Sequence, residues 1–339
     1  MNRLPLLAPG LISLFLGLYG GLARMGVVTA PHSIILSHGA LMISGFIATL
    51  IALERYVALR RWWGMPSYLL LGAGGIMVAA GISMGYLLWI LGAAAFMMLH
   101  LFLLLRFRRG YHHFLMLAGS LLLLWGNTGL YLGQPLYSLV EAWTGFLVLF
   151  VMGERVELAR VTGFRFPESL GVIASALLLT ASTILGSGVI SIKLAALAMI
   201  ILPISVMRYD VGLRFMGGRG FQRFLSVGLA TAYAWLVAGG FQWLLTGYSD
   251  PALHTVFIGF AGTMILTHAP VIIPAIIRTR HFYSRTLYAP LILLQASTII
   301  RVASTTNAGG LLPLSGILTV LAVGVYIIIA VYNITLKQD

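Results

Sequence analysis

The sequence predicts an all-α, polytopic membrane protein, and two observations carry that prediction. Of its 339 residues, 60% are hydrophobic and only 9% are charged, whereas soluble domains have about 25% charged residues. Apolar stretches of roughly 18 residues or more, long enough to cross a hydrocarbon core as helices, also recur along the whole chain. We therefore expect residues 1–339 to form a single transmembrane domain without a soluble domain.

Twelve transmembrane helices are expected from the apolar stretches that lie between Arg, Gly and Pro residues. In the first half of the chain, the predicted spans are 4–22, 34–53, 67–84, 86–105, 112–132 and 136–153. In the second half, they are 169–187, 190–207, 222–246, 252–277, 287–305 and 311–333. The even number of spans places both termini on one side of the membrane.

The basic residues indicate which side that is. The net charge is +13, and the 21 Lys and Arg residues lie almost entirely in the short connections between spans. If the N-terminus is cytoplasmic, 18 of them fall on the cytoplasmic side. The other three, Arg24, Lys193 and Arg301, lie on the outer side of the membrane or near it. The positive-inside rule therefore predicts cytoplasmic termini and a location in the cell's inner membrane. The charge is a topology signal, so we expect the lipid bilayer, and no nucleic acid, as partner.

A short motif recurs three times. Each copy is a Gly-Phe pair followed, nine residues after the Gly, by a titratable residue. The copies are Gly45-Phe46 with Glu54, Gly145-Phe146 with Glu154, and Gly259-Phe260 with His268. Each lies on the second helix of a predicted four-helix block. The sequence therefore predicts three pseudo-equivalent four-helix units, approximately 1–108, 109–210 and 211–339, around a pseudo-threefold axis. Inverted repeats and six-helix repeats, which many transporters contain, are not found.

Histidine supplies the candidate metal ligands, because the chain contains no cysteine and intramembrane ionisable residues are functional candidates by default. His38 and His254 lie at matching depths near the outer ends of the second and tenth spans. Two such imidazoles can provide both axial ligands of a haem, or part of a copper site. The alternative for either residue alone is a structural, hydrogen-bonded histidine.

Glu141 occupies the outer part of the sixth span and completes the set of second-in-unit helices. Its candidate roles are metal ligand, proton carrier, or hydrogen-bond partner of a ligating imidazole. The alternative is a boundary carboxylate that faces the outer aqueous phase.

Four further residues are candidates in the inner half of the membrane: His100, His268, Glu54 and Glu154. His268 follows His254 by 14 residues on nearly the same helix face, and His100 is a possible partner for it. The two glutamates are expected to form ion pairs between repeats, such as Glu54 with Arg155, or to line a proton entry path.

These residues resemble the NnrS family of haem–copper membrane proteins, which is linked to nitric oxide stress and denitrification. On the second span, His38, Met42, Gly45 and Phe46 match the family's pattern, while Ala40 and Leu41 replace a second His and a Glu. The tenth span is the more similar one. Its matching residues are His254, Gly259, Gly262, Thr263, Met264 and Leu266. Upstream, Tyr233-Ala234-Trp235 resembles the family's Tyr-Ala-Trp segment, but its later Gly-His-Thr-Gly is absent.

The arrangement also resembles subunit I of haem–copper oxidases, which has twelve helices in three arcs and low-spin haem ligands on the second and tenth. His38 and His254 occupy those helices. That family's copper-binding histidines on and after the sixth helix have no counterparts here, so oxygen reduction with proton pumping is not expected.

The resemblances imply a b-type haem protein, with copper as a second possible cofactor, that transfers electrons or handles nitric oxide. Whether it is an enzyme stays open, because no open coordination position is evident. Two alternatives remain. One is a proton-coupled transporter that uses the same polar groups. The other is a structural membrane subunit of a respiratory or electron-transfer complex, with a cytochrome as partner.

Overall fold

The computed structural model describes residues 3–107, 110–162, 169–186, 188–279, 282–304 and 310–335, and within them the chain is helical without strands. The principal helices are numbered in chain order. They are α1 (Ala8–Arg24), α2 (His32–Leu59), α3 (Met65–Ala79), α4 (Met84–Arg106), α5 (Tyr111–Tyr131), α6 (Val140–Ala159), α7 (Ser169–Leu185), α8 (Val189–Met207), α9 (Phe221–Thr246), α10 (Asp250–Ile277), α11 (Tyr288–Ala303) and α12 (Leu311–Thr335).

The protein is a multi-pass helical membrane protein. Within the described ranges, ten helices are long and apolar enough to cross a bilayer. The other two predicted spans are also helical, but α3 has 15 residues and α7 has 17. At 1.5 Å per residue they reach about 22 and 26 Å, which is less than the hydrocarbon thickness of roughly 30 Å. Twelve spans therefore stay a prediction, as do three four-helix units.

The chain forms two compact units. The first comprises residues 1–157 and 179–191, and the second comprises residues 158–178 and 192–339. The first unit contains α1 to α5 and most of α6, and the second contains α9 to α12. His38 belongs to the first unit and His254 to the second.

Helices α2 and α10 share an uncommon feature, because the α-helix in each widens into an eight-residue π-helix. The π segments are Leu41–Ala48 and Thr255–Gly262. Gly45-Phe46 and Gly259-Phe260 occupy the same two positions of their segments, and a threonine follows each segment. The third copy of the motif, Gly145-Phe146, lies in a regular α-helix. π-Helical turns are rare and are frequent at functional sites.

The same two helices also end alike. Arg60 follows α2 and Arg278 follows α10, both in the left-handed conformation with φ of 53° and 62°. They are the two non-glycine residues with positive φ among the described residues. A left-handed residue satisfies the last carbonyls of a helix. The first and third motif copies therefore share both a π segment and a left-handed end.

Small residues set the distance between helices of the first unit. A Cβ on Gly74 of α3 would lie 2.6 Å from Trp89 Cδ1 and 2.8 Å from the Gly85 carbonyl oxygen, both on α4. On another face of α3, a Cβ on Gly75 would lie 3.1 Å from the Gly45 Cα of α2. Close approach of backbones at small residues is a main source of helix association in membranes.

The Gly74 contact gives a testable prediction. Gly74→Ala should destabilise the protein by about 1 to 3 kcal/mol, because overpacking against a fixed backbone forces the helices apart. Gly324→Ala on α12 is the matched control, since a Cβ there meets nothing within 4 Å and alanine favours a helix. Thermal unfolding in detergent measures both variants. Equal melting temperatures for the two would contradict the close packing of α3 on α4.

Candidate functional site

His38 is held between α1 and α2. Its ring Nδ1 lies 2.6 Å from the Gly17 carbonyl oxygen of α1. One turn further along α1, a Cβ on Gly21 would lie 2.8 Å from the His38 Cε1 atom. The imidazole therefore occupies a recess that exists because Gly21 has no side chain. Since a carbonyl can only accept a hydrogen bond, Nδ1 carries the proton and Nε2 is the basic nitrogen.

His254 lies beside an ion pair of the second unit. Its Nδ1 is 2.7 Å from the Asp250 carbonyl oxygen, and its Nε2 is 3.3 Å from Nη2 of Arg301. A guanidinium can only donate, so Nε2 accepts and carries the lone pair. The contacts on its two nitrogens thus give His254 the same neutral tautomer as His38.

Arg301 and Asp250 form a bidentate pair between α11 and the start of α10. Arg301 Nε and Nη2 lie 2.8 and 2.9 Å from the two Asp250 carboxylate oxygens. Arg301 is 6% exposed, and its Nη1 also contacts Ser315 of α12 at 3.4 Å. From the sequence, Arg301 was predicted only as a charge near the outer boundary, and Asp250 was not among the predicted site residues. The position of Asp250, one helical turn before His254, was the available signal.

The two inner histidine candidates are fixed by their own helices. Nδ1 of His268 lies 2.9 Å from the Met264 carbonyl, and Nδ1 of His100 lies 2.9 Å from the Phe96 carbonyl. His100 is fully buried, and Ser120 of α5 lies 3.1 Å from the same nitrogen. Its Nε2 is buried without a hydrogen-bond partner. His38 therefore differs from these two and from His254, because a carbonyl of another helix fixes its tautomer.

A cluster of charges joins α2 and α6, and we call Glu54, Arg55, Glu154 and Glu157 the Arg55 cluster. Arg55 Nη2 lies 2.6 Å from Glu154 Oε1, and Nη1 lies 3.9 Å from Glu157 Oε2. The charge of Glu54 acts on Arg55 and on both other carboxylates. An ion pair between α2 and α6 therefore forms, but as Arg55 with Glu154, the reciprocal of the predicted Glu54 with Arg155.

Aromatic rings connect the Arg55 cluster with His100. The Arg55 guanidinium carbon lies 5.5 Å from the centre of the Phe150 ring. His100 packs edge-on against the same ring, with centroids 5.1 Å apart. Phe150 therefore contacts both His100 and Arg55, the ion-pair partner of Glu154.

Glu141 lies in the first turn of α6 and is 1% exposed. Its Oε1 is 2.8 Å from the Ser191 hydroxyl of α8, and its Oε2 has no hydrogen-bond partner. The alternative of a boundary carboxylate facing the aqueous phase is therefore wrong, because the carboxyl group is enclosed by protein.

The described residues contain no group of three His, Asp or Glu side chains able to hold a metal ion. A copper site of three such ligands is thus not formed within the described ranges. A cavity of about 500 Å³ lies between α3 and α4. Its lining is apolar and consists of Trp63, Pro66, Ala95, Met98, Leu99 and Phe102. None of the predicted ligands lines it.

The sequence was compared with known proteins. A family described as a domain of unknown function (DUF8744) matches residues 3–335. No curated protein and no solved structure matches the chain.

The Arg55 cluster gives an ordered prediction. Arg55→Gln should cost about 1 to 3 kcal/mol, because it leaves partly buried carboxylates without their cation. Glu154→Gln should cost less, and Glu157→Gln, whose side chain is 45% exposed and 3.9 Å away, should cost less than about 1 kcal/mol. Unfolding in detergent measures the three variants. An Arg55→Gln protein as stable as the Glu157→Gln protein would show that the cluster does not stabilise the fold.

Proposed function

The chain belongs to the family described as a domain of unknown function (DUF8744), and we propose that it is a haem-binding membrane protein with His38 and His254 as axial ligands. The supporting observation is the tautomer of both rings. Nδ1 of each donates to a backbone carbonyl, at 2.6 Å for His38 and 2.7 Å for His254. Metal-ligating histidines characteristically donate their second ring N–H in this way, which orients the ring and raises the basicity of the ligating nitrogen.

The surroundings of each imidazole fit that role. The Gly21 recess fixes the His38 ring, since any side chain there would collide with it. The lone pair of His254 Nε2 accepts from Arg301, so ligation requires Arg301 to turn away from the ring. Arg301 would then keep its bond from Nε to Asp250, and its Nη2 would be available to another acceptor. Haem carries two propionate carboxylates, and arginine is the side chain best suited to bind carboxylates.

The haem would supply a one-electron redox couple, which suits electron transfer or nitric oxide handling. We propose a location in the inner membrane, with cytoplasmic termini and a cytochrome or another respiratory component as redox partner. His38 and His254 are the proposed ligand set. Glu141 and His100 are left out of it because buried serine hydroxyls contact them. His268 has the same Nδ1 contact with its own helix as His254, and it is left out because it lies 14 residues further along α10, away from the depth shared by His38 and His254. Copper is left out for lack of a three-ligand group within the described residues.

Absorption spectra of the purified protein test the proposal. We expect a sharp α-band after reduction with dithionite, with stoichiometric haem by the pyridine haemochrome assay. Both His38→Ala and His254→Ala should lose haem, and exogenous imidazole should restore a haem spectrum to them. His32→Ala is the matched control, because His32 is an exposed histidine on the same helix as His38.

The pattern of loss separates the possibilities. Complete loss in each single variant indicates one haem with two histidine ligands, and half loss in each indicates two haems. Full retention of haem in both variants, or a featureless spectrum of the unmodified protein expressed with sufficient haem, overturns the proposal. A featureless spectrum would leave two candidate functions, a proton-coupled transporter and a structural subunit of a larger complex.

The Arg55 cluster supports a second candidate, a proton-coupled transporter. Arg55 lies 2.6 Å from Glu154 and 3.9 Å from Glu157, and a third carboxyl group, Glu54, precedes it on α2, so the cluster brings together several groups that can carry a proton. Intramembrane carboxylates arranged in this way are a common feature of proton relays.

Haem-free protein in liposomes tests this candidate. If the cluster conducts protons, a potassium diffusion potential should drive proton uptake, reported by an internal pH-sensitive dye. Glu154→Gln should abolish the uptake, whereas Glu157→Gln should retain most of it, since Glu157 is the more distant partner of Arg55. Uptake equal to that of protein-free liposomes would exclude this candidate.

A further inference from the structure

Glu141 is enclosed at a point where three helices meet. It lies in the first turn of α6, Ser191 lies in the first turn of α8, and Ser182 lies in the last turn of α7. All three side chains are buried, with Glu141 at 1%, Ser191 at 1% and Ser182 at 0% exposure. The neighbours that hydrogen-bond around the carboxyl group are therefore serine groups, and the first ionisable residue after Ser191 on α8, Lys193, is exposed.

The Ser191 hydroxyl has two acceptor-type neighbours but only one proton. Its Oγ lies 2.8 Å from Glu141 Oε1 and 2.9 Å from the Ser182 carbonyl oxygen. A hydroxyl donates one hydrogen bond, and a carbonyl oxygen cannot donate. A bifurcated bond would divide that one proton between the two acceptors, so two full hydrogen bonds form only if Ser191 donates to one neighbour and accepts from the other. The only neighbour able to donate is Glu141, and only in its protonated form.

The Ser182 carbonyl is one acceptor for the Ser191 proton. It is among the last carbonyls of α7, which lack the regular α-helical donor. The Gly186 amide, which would donate to it in a longer α-helix, donates to Thr183 instead. The Ser191 hydroxyl lies 2.9 Å from this buried carbonyl, and the loss of a buried hydrogen bond costs about 1 to 3 kcal/mol.

We propose that Glu141 is a proton-binding site in the membrane interior, holding its proton on Oε1 and donating it to Ser191. Two further observations fit. Oε2 is buried with no hydrogen-bond partner, an arrangement far more costly for an ionised carboxylate than for a neutral acid. The N-terminus of α6 acts on the carboxyl group through its dipole, but none of the described hydrogen bonds to Glu141 comes from a backbone N–H.

Thr144 extends the site along α6. It lies three residues after Glu141, hence on the same helix face, and its hydroxyl is fully buried without a hydrogen-bond partner. The Trp143 indole nitrogen beside it is also buried without a partner. The Thr144 hydroxyl can both donate and accept, so it offers the bound proton a next group on this face of α6, whereas the indole N–H can only donate. The proposal is independent of haem binding and of the Arg55 cluster.

Infrared spectroscopy tests the proposal on the full-length protein at neutral pH. Glu141→Gln should remove the carbonyl stretch of a protonated carboxyl group that the unmodified protein shows. Glu54→Gln should retain that stretch, which separates it from any signal of Glu54, the carboxyl group beside Glu154 and Glu157. The variant should fold, because the glutamine amide can donate to Ser191 in place of the acid. Glu154→Gln is the control and should retain the band, since Glu154 is ion-paired with Arg55. Ser191→Ala should shift the band, because the acid loses its acceptor.

Carbodiimide labelling provides a second readout that needs no variant. An apolar carbodiimide adds the O–H of a protonated carboxyl group across a C=N bond, and the O-acylisourea rearranges to a stable N-acylurea. Peptide mass spectrometry should place the label on Glu141 and not on Glu154. An unchanged carboxyl band in Glu141→Gln, or label on Glu154 and none on Glu141, overturns the proposal.

Discussion

The absence of water from the hydrocarbon core is the constraint on which the rest of this structure depends. A backbone or side-chain polar group that leaves water there must find its partner within the protein. The chain meets this requirement with helices throughout the described ranges. Most buried hydroxyls of Ser and Thr donate to a carbonyl in the preceding turn, as Ser120 and Thr267 do at 2.7 and 2.6 Å. Bonds between helices are fewer, so each of them carries more information about function.

The hydrogen bonds between helices are of three kinds: those between neutral polar groups, those of a buried ion pair, and that of a histidine ring with a backbone carbonyl. Ser44 of α2 donates to Asn127 of α5, which in turn donates to the Trp89 carbonyl of α4, and this chain of neutral groups joins three helices. Arg301 joins α11 to Asp250 of α10 and to Ser315 of α12. Its side chain is buried, so these protein groups, and not water, are its hydrogen-bond partners. His38 differs from these groups, because it does not join two helices through a side-chain pair. Its ring occupies the space that the missing side chain of Gly21 leaves between α1 and α2. A recess that orients one nitrogen toward a carbonyl orients the other as well, which favours a ligand role over a purely structural one.

The sequence predicted those structural features that a single segment of the chain determines by itself. Apolar length along a helix is such a feature, and a helix of the described residues overlaps each predicted span. The helices α3 and α7 have 15 and 17 residues, so their predicted role as membrane spans stays a prediction. The π segments were not predictable, since the same Gly-Phe pair forms a π-helix at Gly45 and Gly259 but an α-helix at Gly145. Which conformation forms depends on neighbouring helices. Asp250 and Arg301, 51 residues apart, escaped notice for the same reason.

The two buried acidic sites of the first unit show how one residue type is accommodated in two ways. Glu154 lies within 2.6 Å of a guanidinium, so its negative charge is compensated and its burial is incomplete. Glu141 has no cation among its hydrogen-bonding neighbours and is almost fully buried, so the favourable solution is to keep the proton. A hydroxyl that must satisfy a carbonyl at the end of a helix enforces this choice, because it has one proton to give. Burial alone therefore does not determine the state of a membrane carboxyl group; the number of donors around it does.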